Sequence, residues 1–363
     1  MLDKQTKDGL MCLVRLGIGH TNNSSPEVFD WPAIYTLASD HGLLAIVLDG
    51  IQKLVDNGLL VGREIDVALK KKWIGTVIQN YEWKFEDYRK QIGQLARFFN
   101  LRGFRLMIIK GYGLALNYPF PQHRPCGDID IWSFGKYQEV DKAISKELSV
   151  PINSNHHHHT VFTFNGYLVE NHYDFVNVHY GHKNASLEKV FKELAMDDSV
   201  RIDVNGETVI LPSANLNALF LLRHCMLHFA STKMNLRQML DWGFFIKKHT
   251  LEIDWSWLMR ILDEYHMMDF FRCMNAICTE DLGFDTNIFP AHYFNSASKN
   301  RVLNDILSPE FDEKMPTNVL RRIYCKYRRW QANSWKQDLC YGDSRFMAFM
   351  TGVWEHIIKP GMI

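Results

Sequence analysis

Five consecutive residues, Gly127-Asp128-Ile129-Asp130-Ile131, alternate carboxylates with isoleucines. Because successive side chains of a β-strand point to opposite faces, a strand here places both aspartates on one face and both isoleucines in the core. Two carboxylates this close raise each other's pKa unless a cation lies between them, and a divalent metal ion is the simplest such cation. The sequence therefore predicts either a metal site on this strand or a strand at the surface whose two acids are solvated.

A glycine-containing turn precedes this strand in the chain. Residues 104–109 form a short apolar run that predicts a buried strand, and Lys110-Gly111-Tyr112-Gly113 follows, leading into a short helix. Turns of this kind expose backbone N–H groups that suit phosphate oxygens. We therefore expect a phosphate-binding turn close to the two aspartates.

A third carboxylate is available on a later predicted strand. Residues 158–178 predict two strands joined at Asn165-Gly166, a dipeptide typical of hairpin turns. Alternation places Glu170, His172 and Asp174 on one face of the second strand. Any of these three side chains can then approach a metal ion held by the two aspartates.

Helical periodicity dominates both ends of the chain, while the middle is mixed α and β. Apolar residues recur at three- and four-residue spacing over residues 31–55 and 64–100, and again in several segments after residue 212. The sequence therefore predicts an α+β fold. A core with a mixed sheet (101–212) is flanked by an N-terminal helical region (1–100) and a C-terminal helical domain (213–363).

Charge and cysteine usage exclude several classes of protein. Among the 363 residues, 41 Lys and Arg balance 41 Asp and Glu, so the formal net charge is zero. A protein that binds nucleic acid by coating phosphates carries surplus cations, and an acidic disordered chain carries surplus anions. The seven cysteines form no C-x-x-C pair, which disfavours a disulfide framework or a zinc ribbon. With neither an apolar leader nor a membrane-spanning run, the sequence predicts a cytoplasmic protein.

Histidines and one charged pair offer further candidates. The tract His156–His159 is expected to lead from a loop into a strand, with a transition-metal site as the alternative. His224 and His228 are four residues apart on a predicted helix, a spacing that suits metal ligands but also a packed helix surface. Arg237 and Asp241 have the same spacing and predict an ion pair on a helix surface.

A basic segment lies near the end of the chain. Residues 314–337 contain seven Lys or Arg and no Asp or Glu. They predict an amphipathic helix whose apolar stripe is Leu320, Ile323, Tyr327 and Trp330. Its basic face is either solvated or a contact for an anionic acceptor, RNA included.

Several motifs in fixed order resemble the uncharacterised bacterial nucleotidyltransferase family of the DNA polymerase β-like superfamily. The resemblance covers roughly residues 90 to 250 and also includes Leu236-Arg237-Gln238-Met239-Leu240-Asp241-Trp242. The motifs are Lys110-Gly111, Tyr118-Pro119, Arg124-Pro125-Cys126-Gly127-Asp128-Ile129-Asp130 and Val169-Glu170-Asn171-His172-Tyr173. The resemblance implies a polymerase β-like core and transfer of a nucleoside monophosphate from an NTP to an acceptor, with release of pyrophosphate.

The resemblance also implies roles for individual residues. Asp128, Asp130 and Glu170 are the expected catalytic residues and the ligands of two Mg²⁺ ions, which Mn²⁺ can replace. Glu170 can instead act as a base without binding metal. The expected substrate-binding residues are Lys110, Gly111, Tyr112, Gly113, Arg124, Gly127 and His172. Among these, Lys110 or Arg124 neutralises charge on the leaving pyrophosphate, and the turn from Gly111 to Gly113 offers N–H groups to phosphate. The resemblance also implies that Arg237 and Asp241 shape the wall beside the nucleotide, as the alternative to a pair on the helix surface.

Three functions remain open at this point. The first is a nucleotidyltransferase whose acceptor is a small molecule, a protein or RNA. The second is a catalytically weak module on the same fold that binds nucleotide or a partner protein. The third is a metal-dependent phosphohydrolase that uses the two aspartates with histidines.

Overall fold

The structure is a computed structural model that describes residues 3–20, 26–62, 64–178, 183–197, 199–231, 233–290, 296–311 and 316–341. Six strands form one mixed sheet in the described chain. They are β1 (Met107–Ile108), β2 (Ile129–Trp132), β3 (His159–Phe164), β4 (Tyr167–His172), β5 (Ser199–Val204) and β6 (Glu207–Pro212).

The strand order is β3-β4-β2-β1-β6-β5. Two pairs, β2 with β4 and β1 with β6, run parallel, and the other neighbours are antiparallel. The predicted hairpin is confirmed, since Asn165 and Gly166 have φ of 47° and 87°. These positive values suit the tight turn between β3 and β4, and Asn-Gly tolerates them well.

Helices surround this sheet. They are α1 (Lys4–Gly17), α2 (Trp31–Asp40), α3 (Leu44–Asp56), α4 (Val67–Val77), α5 (Lys84–Asn100), α6 (Tyr112–Ala115), α7 (Tyr137–Leu148), α8 (Asn184–Asp197), α9 (Ala214–Ser231), α10 (Leu236–His249), α11 (Trp255–Glu264), α12 (Met268–Ala276), α13 (Ser296–Leu307) and α14 (Val319–Tyr341). A π-helical segment, Ile78–Trp83, joins α4 to α5, and a second, Ile277–Asp281, continues α12. No helix of the described residues has the length and apolar character that a membrane span requires.

Two sequence predictions for these elements are wrong in detail. The helix expected over residues 31–55 is two helices, because Gly42, with φ of +67°, ends the first and redirects the chain. The strand expected to reach residue 178 ends at His172. The backbone N–H groups of Phe175 and Val176 there donate to the Glu188 carboxylate instead of to a neighbouring strand.

The sheet separates two buried cores. On one face, Ile129 and Ile131 pack with apolar side chains of α5 and α7. On the other face, Trp132 packs into a larger core that contains side chains of the N-terminal helices and of the C-terminal helices together. All seven cysteines are buried, and no disulfide bond joins any two of them in the described chain.

His41 connects the N-terminal helices to α10. Its ring is buried, with 1% of the residue exposed, and Nδ1 accepts a hydrogen bond from the Leu236 N–H at 3.1 Å. Burial lowers the pKa of His41 to about 4. The ring is therefore neutral at pH 7, as an acceptor nitrogen must be.

The stability of the protein is expected to fall between pH 6.5 and pH 4 because of His41. The unfolded chain binds this proton more readily than the folded chain does, so the stabilisation is complete above the unfolded pKa and is lost as pH falls through the folded one. A pKa that is lowered from 6.5 to about 4 corresponds to roughly 3 kcal/mol of the free energy of unfolding. Urea unfolding at pH 7 and pH 4.5 measures this loss.

His41→Asn serves as the control for that measurement. The amide oxygen can accept the same N–H without titrating, so the difference in unfolding free energy between the two pH values should shrink by a similar amount. An unchanged pH dependence in this variant would show that His41 is not responsible.

Candidate active site

The register of β2 and β4 brings two carboxylates side by side. Asp130 and Glu170 are paired across these parallel strands, and Asp128 comes just before β2. Asp130 is buried, with 3% of its side chain exposed, while Glu170 keeps 25% exposed. The structure thus places three acids on one edge of a single sheet face, two of them in direct register.

Two basic side chains contact this acidic group. Lys110 Nζ lies 2.6 Å from Asp130 Oδ1, at the end of the segment that contains β1. His172 Nε2, two residues beyond Glu170 on β4, lies 3.2 Å from the same oxygen and 3.5 Å from Glu170 Oε2. Asp130 is therefore paired from two sides, whereas Asp128 has neither of these contacts.

Proton affinities in the group follow from burial and from this pairing. Burial, and next the charge of Asp130, raise the pKa of Asp128. Burial would also raise the pKa of Asp130, but Lys110 and His172 outweigh it and hold that pKa below its usual range. Burial likewise opposes the charge on Lys110, whose pKa is nevertheless raised because of Asp130. The arrangement therefore keeps Asp130 ionised. The ionised form of Asp128 would be stabilised by a further cation.

The turn after β1 requires glycine at one position. Gly111 has φ of +56°, and a Cβ there would lie 2.5 Å from the Tyr88 hydroxyl oxygen. That hydroxyl donates to the Asp128 carbonyl oxygen at 2.7 Å. Tyr88 is fully buried on α5, so it links the glycine turn to the first aspartate. The role of Tyr88 was not predicted from the sequence, because its position in the helical pattern is the same as that of the other residues on the apolar face of α5.

Tyr88→Phe should lower the free energy of unfolding by about 1 to 2 kcal/mol, because the Asp128 carbonyl loses its donor. Chemical denaturation measures the change. Tyr167→Phe is the matched control, since its hydroxyl bonds to the exposed Asp87 carboxylate at 2.9 Å and its loss should cost less. Equal effects from the two variants would contradict the assignment.

The other members of the predicted phosphate turn lie as follows. The Gly113 N–H donates to the Lys110 carbonyl oxygen at 3.3 Å, so this donor closes the turn. The Tyr112 ring is buried and stacks on Phe85, which leaves only its backbone toward a ligand. Gly127 is exposed, and a Cβ built there meets no atom within 4 Å. The space in front of Gly127, next to Asp128, is open.

Arg124 lies in the protein interior. Its Nε and Nη2 donate to the two carboxylate oxygens of Asp241 at 2.7 and 2.9 Å, and Tyr118 donates to the same carboxylate at 2.7 Å. Arg124 and Asp241 are 6% and 4% exposed. Because these groups are buried and already bonded, we assign Arg124 to holding α10 against the sheet rather than to the phosphates.

The surface pair predicted between Arg237 and Asp241 is wrong for a related reason. Both oxygens of that carboxylate accept from Arg124, and Arg237 Nη1 instead lies 3.5 Å from the Pro125 carbonyl oxygen. The spacing of four residues along the helix is compatible with a pair between Arg237 and Asp241. The bidentate contact that Asp241 makes with the Arg124 guanidinium is stronger than such a pair.

Asp241→Asn should destabilise the protein by roughly 3 kcal/mol, because it leaves the buried Arg124 charge without its counter-ion. Arg124→Met combined with Asp241→Leu should recover much of that loss in denaturant unfolding. Arg89→Gln is the control, since its pair with Glu86 is exposed and is worth less than about 1 kcal/mol. If the double variant were no more stable than Asp241→Asn, a buried charge would not be the cause.

Four histidines besides His172 lie around the acidic group. His158 and His159, at the start of β3, have ring centroids 5.5 and 5.1 Å from that of His172. His224 and His228 on α9 are half-buried, with centroids 4.4 Å apart. Burial, and next the charge of Lys110, lower the pKa values of both α9 rings. Their spacing of four residues puts both rings on one face of α9, as predicted. That face lies toward the acidic group, since the charge of Asp130 acts on both rings.

Two groups of side chains in the described chain are close enough to hold a metal ion. One consists of Asp130, Glu170 and His172, and the other of His158, His159 and His172. Asp174, predicted to share the face of Glu170, is not in either group. It lies beyond the end of β4, and its carboxylate is 2.5 Å from Lys192 Nζ on α8.

The basic helix α14 differs from its predicted orientation. Tyr327, assigned to the apolar stripe, is 50% exposed. Lys336, one of the seven basic residues of this segment, is buried with its Nζ 2.5 Å from an Asp305 carboxylate oxygen. The side chains of Leu320 and Ile323, and residue 314, lie outside the described residues. The orientation of α14 therefore follows Cys325, Asn333 and Lys336, which are buried.

The model of a family described as uncharacterised nucleotidyltransferase matches residues 27–283. This range is most of the chain, so the chain belongs to that family, and the resemblance seen in the sequence motifs is confirmed.

A crystal structure of an antigenic nucleotidyltransferase-like protein from Paracoccidioides brasiliensis aligns with a TM-score of 0.35 and 14% identity. The alignment covers 56% of this chain and 96% of that one. No curated protein matches the sequence.

Proposed function

We propose that this protein transfers a nucleoside monophosphate from an NTP to an acceptor hydroxyl, with Mg²⁺ as cofactor and pyrophosphate as product. Membership of the nucleotidyltransferase family supports the reaction class. The observation that carries the proposal is the register of Asp130 with Glu170 on neighbouring parallel strands, with Asp128 two residues earlier.

The donor set fits magnesium. Mg²⁺ prefers oxygen ligands and binds proteins through one or two carboxylates together with substrate phosphates. Asp128, Asp130 and Glu170 supply such oxygens at one edge of the sheet. The three ionised acids and a triphosphate carry more negative charge than Lys110 and His172 can neutralise, so the site calls for additional cations. When bound, Mg²⁺ would neutralise phosphate charge and lower the pKa of the acceptor hydroxyl.

The chain's own residues would divide the remaining work. In the reaction the acceptor oxygen forms a bond to the α-phosphorus, and the bond from that phosphorus to the β-phosphate oxygen breaks. Pyrophosphate leaves with the bonding electron pair. Glu170, which is partly exposed, would take the hydroxyl proton. Lys110 would stabilise the negative charge that develops on pyrophosphate.

The glycine turn and Gly127 would position the nucleotide. Backbone N–H groups of Gly111 and Tyr112 are the proposed phosphate donors, while the donor of Gly113 is used within the turn. The open space in front of Gly127 would let a substrate approach the backbone beside Asp128 closely. His172 would orient Glu170 through the contact of 3.5 Å.

Pyrophosphate release tests the proposal. The full chain is incubated with each of the four NTPs, Mg²⁺ and fractionated cell extract, and release is followed with and without a chelator. Asp128→Asn and Asp130→Asn should each lower Mg²⁺-dependent release at least about 100-fold, since even outer partners of a metal site cost 10–100-fold. The thermal transition should remain cooperative in both variants.

Glu139→Gln is the matched control, because this exposed acid on α7 pairs with a surface lysine, Lys136, at 3.5 Å. Release should be unchanged in that variant. Full turnover in the aspartate variants would contradict the proposal. NTP binding without release in every extract would contradict it too, and would favour a nucleotide-binding module.

A further inference from the structure

Three imidazole rings meet beside the carboxylates. His158, His159 and His172, here called the histidine cluster, each offer one nitrogen within 4.8 Å of the other two. His158 lies in the bend just before β3, so its ring is not forced to the opposite face from that of His159. The antiparallel register then pairs His159 with His172 across β3 and β4.

Two nitrogens of the histidine cluster make no hydrogen bond to any residue that the structure describes. The Nδ1 atoms of His158 and His159 are both buried, neither is hydrogen-bonded within the described part of the chain, and His159 is only 8% exposed. Buried polar atoms are nearly always bonded, so unpaired ones point to a missing ligand. A metal ion is a ligand for which neutral imidazole nitrogens are suited.

The orientation of the third ring, that of His172, is fixed by a backbone contact. His172 Nδ1 lies 3.4 Å from the Asp174 carbonyl oxygen, a contact that favours a proton on Nδ1 and leaves Nε2 as a donor to metal. That Nε2 lies 3.2 Å from Asp130 Oδ1 and 3.5 Å from Glu170 Oε2. The Nε2 of His159 lies 3.8 Å from Glu170 Oε1, so this nitrogen contacts the carboxylate and the Nδ1 of the same ring is the one left for an ion. Ligand atoms around a tetrahedral ion with bonds of 2.0–2.1 Å are about 3.3 Å apart, close to the separation of His172 Nε2 from Glu170 Oε2.

Burial also keeps two of the rings in the form that binds metal. It lowers the pKa of His158 and that of His159 to about 3, with the neighbouring imidazoles adding to the effect. Both rings are neutral at pH 7, so an ion need not displace their protons.

We propose that the histidine cluster, with Glu170 as a fourth donor, binds one divalent transition-metal ion of the imidazole-preferring class, such as Zn²⁺. Imidazole suits Zn²⁺ and its neighbours in the first transition row, whereas carboxylate and water suit Mg²⁺. The site is distinct in chemistry from the proposed Mg²⁺ site, although the two share Glu170. It goes beyond the proposed nucleotidyl transfer, which does not require it.

Cobalt provides a direct test, because Co²⁺ adopts Zn²⁺ geometries and absorbs visible light. The full chain is stripped with a chelator and titrated with Co²⁺ in a large excess of Mg²⁺. One equivalent should bind with the intense absorption of a four-coordinate complex, and Zn²⁺ should displace it. A weak, six-coordinate spectrum, or no saturable binding, would overturn the proposal.

Variants assign the ligands. His159→Gln and His158→Gln, which keep a polar side chain of similar size, should each weaken Co²⁺ binding at least about 10-fold. His266→Asn is the matched control, since this histidine is exposed and asparagine accepts its positive φ of 56°. Unchanged Co²⁺ affinity in both cluster variants would overturn the proposal.

Asp128→Asn separates this inference from the proposed function. That variant should bind Co²⁺ as the unaltered chain does, while it loses Mg²⁺-dependent pyrophosphate release. Loss of Co²⁺ binding on replacement of Asp128 would mean that the ion sits among the carboxylates, and would overturn the histidine assignment without affecting the nucleotidyltransferase one.

Discussion

The pairing of Asp130 with Glu170 across two parallel strands is the constraint around which the rest of the site is arranged. Two acids in register, one of them buried, repel each other, and nearby cations stabilise their ionised forms. Lys110 and His172 supply those charges at 2.6 and 3.2 Å from one oxygen of Asp130. The same two residues then stand where a polyphosphate and its metal ion would need them.

The surrounding helices hold this arrangement by a few buried polar contacts. Tyr88 ties the Asp128 backbone to α5, and the pair of Arg124 with Asp241 ties the segment before β2 to α10. His41 in turn fixes the start of α10 to the N-terminal helices. Each contact crosses between parts of the chain that are distant in sequence, so the site depends on both helical flanks.

The two proposed metal preferences follow from the side on which each ion would lie. Carboxylate oxygens dominate toward Asp128, where the space in front of Gly127 is open. Imidazole nitrogens dominate toward β3, where burial excludes water and keeps the rings neutral. Glu170 lies between the two sides. Under the two proposals, this change of donor from oxygen to nitrogen would direct Mg²⁺ to one side of Glu170 and a transition-metal ion to the other.

The local features were predictable from the amino-acid sequence: the Asp-x-Asp strand, the Asn-Gly hairpin and most helices each depend on side-chain periodicity or turn chemistry within a few residues. The sequence also placed Glu170 and His172 on one face of one strand. Only the tertiary structure decided that Asp130 lies opposite Glu170, that Arg124 pairs with Asp241 and that Asp174 leaves the site. Strand register, buried pairing and the meeting of His158, His159 and His172 come from contacts between distant segments, and periodicity along one segment carries no information about them.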